Sequence, residues 1–216
     1  MPVLLTDTQI ADGRARIVAV AERQAVELGL DRLSMHGIAR ALGWSATALY
    51  RYFTNKDAIL AAARTAAFDR LSDRLEAAMA GPGDIWARSR EVGNAYVEFA
   101  FQNPESYRLI FEFAQPPAEE DSALARANAR ARTNMRGYVE QMVAEGAVDA
   151  DPQLLAHVFW AGLHGVVSLQ MAGKLGADAP PFETIRRDMV RRIIRSALGP
   201  SARSSRRVGT KMREPR

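Results

Sequence analysis

A segment between positions 33 and 57 concentrates side chains that can attract anions and hydrogen-bond to polar edges. Their functional groups are hydroxyls, phenols, an imidazole, a guanidinium and an ammonium, carried by Ser34, His36, Ser45, Thr47, Tyr50, Arg51, Tyr52 and Lys56. Groups of this kind donate to phosphate oxygens and read the edges of base pairs. At this spacing, the chemistry that they offer is the recognition of double-stranded DNA.

Two short helices joined by a glycine turn are expected to position these side chains. Ser34 is a good N-cap for a first helix over 35–42, and Gly43 tolerates the positive φ of a tight C-cap. Ser45 can cap a second helix that runs to about Tyr52. Helix, turn and helix form the helix-turn-helix pattern, whose second helix lies in the major groove of DNA.

Helical periodicity extends over most of the chain. A further helix is expected from Lys56, with Thr54 capping it and Asp57 reaching back in a capping box. Leu49 and Phe53, at i and i+4, are expected in the core. More helices are predicted over about 10–28, 85–101, 104–113, 121–144, 152–173 and 181–198. The predicted fold class is all-α, with about nine or ten helices.

The composition indicates a soluble globular protein. Of 216 residues, 48% are hydrophobic and 25% are charged. The chain has no cysteine, which excludes disulfides, a thiol nucleophile and cysteine metal sites. The first residues lack the pattern of a secretory signal, and no uninterrupted apolar run is long enough to span a membrane. A cytoplasmic protein is therefore expected.

The net charge of +4 arises from the end of the chain. Residues 1–64 carry a net charge of +2, residues 65–199 carry −3, and residues 200–216 carry +5. Because the last segment is also rich in Ser, Gly and Pro, it is predicted to be a disordered basic tail. The basic isoelectric point is therefore no argument for nucleic-acid binding by the folded part.

Residues 14–64 resemble the DNA-binding domain of the tetracycline-repressor (TetR) family of bacterial transcription regulators. The positions that carry the resemblance are Gly29, Leu33, Ser34, Ile38, Ala39, Leu42, Gly43, Ser45, Leu49, Tyr50, Tyr52, Phe53, Asn55, Lys56 and Leu60. The resemblance implies an N-terminal three-helix helix-turn-helix DNA-binding domain over residues 10–64. It also implies a C-terminal helical ligand-binding and dimerisation domain over residues 65–199.

Two later segments resemble the ligand-binding region of one subgroup of this family. One is Asn103-Pro104 followed by Tyr107-Arg108-Leu109-Ile110-Phe111, and the other is Trp160 followed by His164-Gly165. The second segment is similar to a Trp-His-Gly signature. The implied function is a ligand-responsive repressor that binds a pseudo-palindromic operator as a dimer.

The resemblance and side-chain chemistry together suggest DNA contacts along both helices of the motif. The candidate DNA-binding residues are Ser34, His36, Ser45, Ala46, Thr47, Tyr50, Arg51, Tyr52 and Lys56. Thr47 suits a base edge, whereas Tyr52 and Lys56 suit phosphates. Tyr50 can instead be a core aromatic residue, and Arg51 can instead pair on the surface.

The middle helices are expected to enclose a pocket for a small apolar or aromatic effector. The candidate lining residues are Tyr96, Phe99, Tyr107, Phe111, Met135, Tyr138, Met142, Phe159, Trp160 and His164. The sequence alone does not separate residues that line a pocket from residues that pack an ordinary core.

A two-fold homodimer is expected because one recognition helix reads only half of an operator. The candidate interface residues are Ala161, Gly162, Gly165, Ile185, Met189 and Ile193. The alternative is that these apolar residues pack inside one chain as part of its own core.

No pattern for catalysis or for a cofactor is present. His157 and His164 stand about 10 Å apart along one helix, which is too far to chelate one metal ion without a third element. GxSxG, HExxH and Walker-type motifs are absent from the sequence. The competing hypothesis is a small all-helical enzyme or ligand-binding protein without sequence-specific DNA binding.

Overall fold

A computed structural model describes residues 6–114 and 122–198. Within these ranges the chain forms nine helices and no strand, which confirms the all-α prediction. The helices are α1 (Asp7–Leu28), α2 (Met35–Leu42), α3 (Ala46–Leu49), α4 (Lys56–Met79), α5 (Ile85–Gln102), α6 (Pro104–Phe111), α7 (Ala123–Ala144), α8 (Pro152–Met171) and α9 (Phe182–Ala197). The predicted basic tail, residues 200–216, lies outside the described residues.

The described residues form two compact units. The first takes in positions up to Asp73 together with Phe99–Ala131, and the second takes in Arg74–Glu98 together with positions from Arg132 onward. These units are defined by packing. The domain boundary expected near residue 64 follows the DNA-binding motif instead, and it stays a prediction.

The helix-turn-helix is built on a small apolar core in the first unit. Ile17 of α1, Ile38 of α2, Leu49 of α3 and Ile59 of α4 are fully buried, and Phe53 is 4% exposed. Leu49 and Phe53 are therefore core residues, as their spacing predicts. Burial of these side chains supplies most of the energy that holds such short helices together.

Local capping follows the sequence at three positions of the motif. The Ser34 hydroxyl accepts a hydrogen bond from the Gly37 amide at 3.1 Å, and the Ser45 hydroxyl accepts one from the Ala48 amide at 3.1 Å. Gly43 ends α2 with φ of 69°, in the left-handed region that favours glycine. These three residues fix the angle between α2 and α3 through local interactions.

Two expectations for α3 and α4 were wrong. The second helix of the motif ends at Leu49 instead of continuing to about Tyr52, because the Arg51 and Tyr52 amides bond three residues back in a tighter turn. The cap of α4 is Asn55 and not Thr54: the Asn55 side-chain oxygen accepts from the Ala58 amide at 2.8 Å. Asn55 directly precedes the first residue of α4, which is the position where a capping side chain can reach.

One other helix start differs from expectation. Helix α1 begins at Asp7, three residues early, because Thr6 and Gln9 form a capping box. Helix α6 begins at Pro104, as predicted, but Asn103 before it does not cap the helix; its side-chain amide donates to the Phe99 carbonyl oxygen at 3.2 Å.

Helix α8 is long and apolar enough to cross a membrane by length and composition alone. A core helix of a soluble protein passes the same test, so one such helix is weak evidence. In this chain α8 packs against α9 in the second unit.

A buried polar cluster joins three helices of the first unit. Arg70 of α4 donates to Glu22 of α1 and to the hydroxyl of Ser106 of α6, each at 2.7 Å. The Ser106 hydroxyl also donates to Glu22, at 3.2 Å. The Glu22 side chain is only 11% exposed, so these bonds replace most of the water that the carboxylate loses on folding.

We expect Arg70→Ala to lower the free energy of unfolding by about 2 kcal/mol, because it leaves the Glu22 carboxylate buried without its cation. Chemical denaturation measures this loss. The matched control is Arg130→Ala, since Arg130 pairs with Asp69 and Asp73 on an exposed surface. That variant should change stability by about 0.5 kcal/mol or less. Equal losses in the two variants would contradict a special role for the buried cluster.

Candidate nucleic-acid interface and ligand cavity

Helix α3 and the turn that follows it expose polar side chains on either side of the buried Leu49. Thr47, Tyr50 and Arg51 are exposed, Tyr50 with 53% of its surface, while Ala46 is half-buried. Tyr50 is therefore not a core residue. The exposed side chains carry a hydroxyl, a phenol and a guanidinium, which can reach base edges and phosphates.

The start of α2 adds a second exposed polar site in the same unit. Ser34 and His36 are both exposed at the first turn of this helix. The Ser34 hydroxyl is engaged as a cap, so a DNA contact by Ser34 has to share that oxygen. His36 has the freer geometry of the two.

Tyr52 is a packed side chain and not simply a surface one. Its ring stacks on Trp44 with 5.4 Å between ring centroids, and its edge lies against Gly13 of α1. Arg14 donates to the Tyr52 carbonyl oxygen at 2.5 Å and also lies 4.0 Å from the centre of the Phe53 ring. Packing against α1 thus fixes where the Tyr52 phenol stands.

The contribution of α1 to this surface was not predicted from the sequence. A Cβ atom at Gly13 would stand 2.4 Å from Tyr52 Cε1, so only glycine fits there without movement of the ring. The available signal was a glycine inside an otherwise helical pattern, which costs about 1 kcal/mol relative to alanine and therefore hints at a close approach.

We expect Gly13→Ala to displace the Tyr52 ring. Overpacking costs about 1–3 kcal/mol and the alanine returns up to about 1 kcal/mol of helix propensity, so the net loss of stability should be about 0–2 kcal/mol. DNA binding should be about tenfold weaker, and thermal unfolding and fluorescence anisotropy measure the two effects. The control is Gly137→Ala in α7, where an added Cβ meets nothing within 4 Å. It should leave DNA binding unchanged and stabilise the helix by up to about 1 kcal/mol. Unchanged DNA binding in Gly13→Ala would mean that the position of Tyr52 is irrelevant to the interface.

Lys56 stands at the first turn of α4, half-buried, and its ammonium donates to the Leu30 carbonyl oxygen at 3.2 Å. This bond ties the segment before α2 to α4. An ammonium has three donors, so two remain for a phosphate. The helix N-terminus adds a favourable field for the anion. A phosphate contact by Lys56 stays a prediction.

The second unit contains a cavity of about 490 Å³, bounded by α5, α7, α8 and α9. Its apolar wall consists of Trp86, Tyr138, Phe159, Leu163, Val190 and Ile194. Its polar lining includes Ser89, Arg90, Asn94, Glu183, Arg186 and Arg187. A volume of this size is ordinary for a small-molecule site.

The predicted lining residues separate into groups. Tyr138 and Phe159 line the cavity, and Tyr96, Met135 and Trp160 surround a much smaller void of about 20 Å³ that also reaches Tyr138. Met142 is fully buried and His164 half-buried in the same unit, and neither is among the side chains that line the cavity. The remaining three, Phe99, Tyr107 and Phe111, belong to the first unit.

The side chains of the Trp-His-Gly segment contact each other and nearby hydroxyls along α8. The ring centroids of Trp160 and His164 are 6.3 Å apart. His164 Nδ1 is 3.5 Å from the Tyr96 hydroxyl, and its Nε2 is 3.4 Å from the Ser168 hydroxyl. His164 is thus held between two hydroxyls.

Burial raises the pKa of Tyr138, so its phenol stays protonated and remains a hydrogen-bond donor.

The arginines of the cavity were not predicted as ligand-binding residues. Arg186 is bound by other side chains of the second unit. It donates to the Asn94 side-chain oxygen at 2.8 Å and pairs with Glu183 at 2.9 Å. Arg90 and Arg187 make no hydrogen bond or ion pair within the described residues.

The candidate dimer residues lie on α8 and α9. Gly162 packs inside the chain, where an added Cβ would stand 2.6 Å from Met189 Sδ and 3.4 Å from Ile193 Cδ1. Part of the predicted interface therefore serves the packing of α8 on α9. Ala161 is exposed, whereas Gly165 and Ile185 are half-buried.

Comparison with known proteins agrees with this geometry. Residues 17–63 match the family model described as bacterial regulatory proteins, tetR family, and residues 89–193 match the model described as tetracyclin repressor-like, C-terminal domain. An HTH-type transcriptional regulator of Mycobacterium bovis is 26% identical, over 76% of this chain and 82% of its own length.

Solved structures share the fold. A protein of unknown function from Rhodococcus sp. RHA1 superposes with a TM-score of 0.74 at 25% identity, covering 92% of this chain and 100% of the other. A TetR family transcription regulator from Marinobacter aquaeolei VT8 gives a TM-score of 0.71 at 20% identity, covering 89% and 98%. Since two family models, the curated relative and the helix-turn-helix agree, this chain belongs to the TetR family of bacterial transcription regulators.

Proposed function

We propose that the protein is a cytoplasmic, ligand-responsive repressor that binds a pseudo-palindromic operator as a homodimer and performs no catalysis. The observation that carries the proposal is the set of exposed polar side chains on α3 and the turn after it, around the buried Leu49. Thr47, Tyr50 and Arg51 face solvent while Leu49 is fully buried. Because Leu49 anchors it, this short helix can hold its exposed side chains in a fixed orientation toward the major groove.

The division of labour on DNA follows from the same geometry. Thr47 reads a base edge near the start of α3, with Ala46 in apolar contact beside it. Tyr50, Arg51 and Lys56 bind phosphates. The Tyr52 ring packs against Gly13 of α1, and its phenol donates to a further phosphate. Because few side chains read bases directly, operator shape and half-site spacing supply much of the specificity.

The dimer proposal is supported by an exposed apolar stripe along α8. Leu154, Val158 and Leu169 are 65%, 43% and 47% exposed, and Ala161 and Gly165 lie between them at helical spacing. A contiguous apolar stripe on a soluble protein marks an interaction surface. A two-fold axis through α8 and α9 would bury it and present two recognition helices.

Effector control works through the cavity of the second unit. A ligand with an apolar or aromatic body would fill the space against Trp86, Tyr138 and Phe159. It releases DNA only if it binds the low-affinity dimer geometry more tightly than the DNA-bound geometry. The coupling is therefore reciprocal: operator DNA must weaken effector binding by the same factor.

The proposal is tested by a gel shift with the DNA upstream of the protein's own gene, at controlled salt, against coding DNA of equal length. A regulator of this kind shifts the upstream fragment at much lower concentration than the control fragment. Equal affinity for the two fragments would reject an operator in that fragment, and selection from randomised DNA then tests for one elsewhere.

A further inference from the structure

We propose that the cavity of the second unit binds an organic anion with an apolar or aromatic body, whose anionic head group is held by Arg90 and Arg187. This inference rests on the proposed ligand-responsive function and adds the chemical class of the effector. An effector that is only apolar would make no ion pair with the arginines of the lining.

The lining of the cavity carries a net positive charge. Three arginines and one glutamate line the cavity, which leaves two cations in excess. Arg186 uses the carboxylate, because its guanidinium pairs with Glu183 and with Asn94. Within the described residues, Arg90 of α5 and Arg187 of α9 are exposed and make no ion pair or hydrogen bond.

The same lining also offers a large apolar surface. Trp86, Phe159, Leu163 and Val190 contribute to it, and Trp86 and Val190 lie one helical turn from Arg90 and Arg187. A guanidinium binds a carboxylate or phosphate through paired donors. A ligand that contacts both the arginines and the apolar residues has one charged end and one hydrophobic body.

Hydrogen bonds around Arg186 connect the two helices that carry Arg90 and Arg187. Asn94 accepts from Arg186 through its oxygen and donates to Glu91 through its amide at 3.2 Å. This chain of bonds joins α5 to α9 at the cavity. The head group is thus expected to bind between two helices whose separation is held by protein contacts.

The experiment measures binding to the full chain by calorimetry, with probes that share one body and differ in head group. Decanoate, decyl phosphate, decan-1-ol and decylamine are compared at equal salt. We expect the two anions to bind about tenfold or more tightly than the alcohol, a preference sized for partly exposed charges. The amine should bind most weakly. The better anion tells a carboxylate effector from a phosphate effector.

The variant that tests the assignment is Arg90→Gln combined with Arg187→Gln. It should bind the anions as weakly as the alcohol, while its affinity for the alcohol stays within about twofold of wild type, which shows an intact cavity. The control is Arg132→Gln combined with Arg136→Gln, which removes the same charge from the exposed side of α7. It should keep the preference for anions.

Three results overturn the inference: equal binding of anion and alcohol to the wild type, a retained preference in the double variant, or no binding of any probe. A separate readout is release of operator DNA. Release by a neutral aromatic compound, without anion binding, would uphold the proposed function and reject this inference. Absence of operator binding, with anion preference intact, would reject the proposed function and leave the anion site standing.

Discussion

Val158→Glu is expected to convert the dimer into monomers and to weaken operator binding by about a hundredfold or more. Val158 is 43% exposed and belongs to the α8 stripe, so the glutamate does not disturb the chain's own core. In a two-fold interface, each carboxylate would face apolar surface or its own copy, and burying it there costs several kcal/mol. Sedimentation velocity measures the dimer, and fluorescence anisotropy measures the operator.

The choice of Val158 separates dimerisation from folding. Met189 and Ile193 contact Gly162 inside one chain, so a charge at either position would also damage the packing of α8 on α9. The control is Leu28→Glu, which places the same charge on an exposed apolar position of α1. It should remain dimeric. A Val158→Glu protein that stays dimeric would show that the α8 stripe is not the interface.

Thr47→Glu is expected to abolish operator binding while folding and dimerisation stay intact. Thr47 is exposed at the start of α3, and a carboxylate there faces phosphates and base-edge acceptors, both electronegative. Like-charge juxtaposition costs several kcal/mol, so the loss should be about a hundredfold or more. Anisotropy at fixed salt measures this affinity, and circular dichroism checks the fold.

The matched control for this change is Thr133→Glu in α7, also an exposed threonine. It adds the same charge to the chain outside the motif and should bind the operator within about twofold of wild type. If both variants lose affinity equally, net charge governs binding and α3 has no special place. If neither loses affinity, α3 is not the reading helix.

Local interactions explain what could be predicted from the sequence. The Ser34 and Ser45 hydroxyls accept from amides three residues further on, and Gly43 supplies a positive φ at its own position, so their types reveal their roles. The cap of α4 was placed one residue early because Thr54 and Asn55 both have the chemistry of a cap. Only the first residue of the helix decides between them.

Contacts between distant segments explain what could not be predicted. The seat of Tyr52 depends on Gly13, which precedes it by 39 residues and becomes its neighbour only after folding. Phe99 and Tyr107 have the aromatic character of pocket residues, yet they are fully buried in the first unit. Helical periodicity identifies an apolar face but not the space that the face bounds. The charged lining of the cavity was missed for the same reason.

Two copies of α3 are expected to read a two-fold symmetric DNA sequence. Selection of bound duplexes from a randomised library by the purified full chain measures this. The expected result is an inverted repeat whose half-site centres lie about one helical turn, roughly 34 Å, or a multiple of it apart. A selected pool without a consensus, or with a single unsymmetrical site, would contradict it.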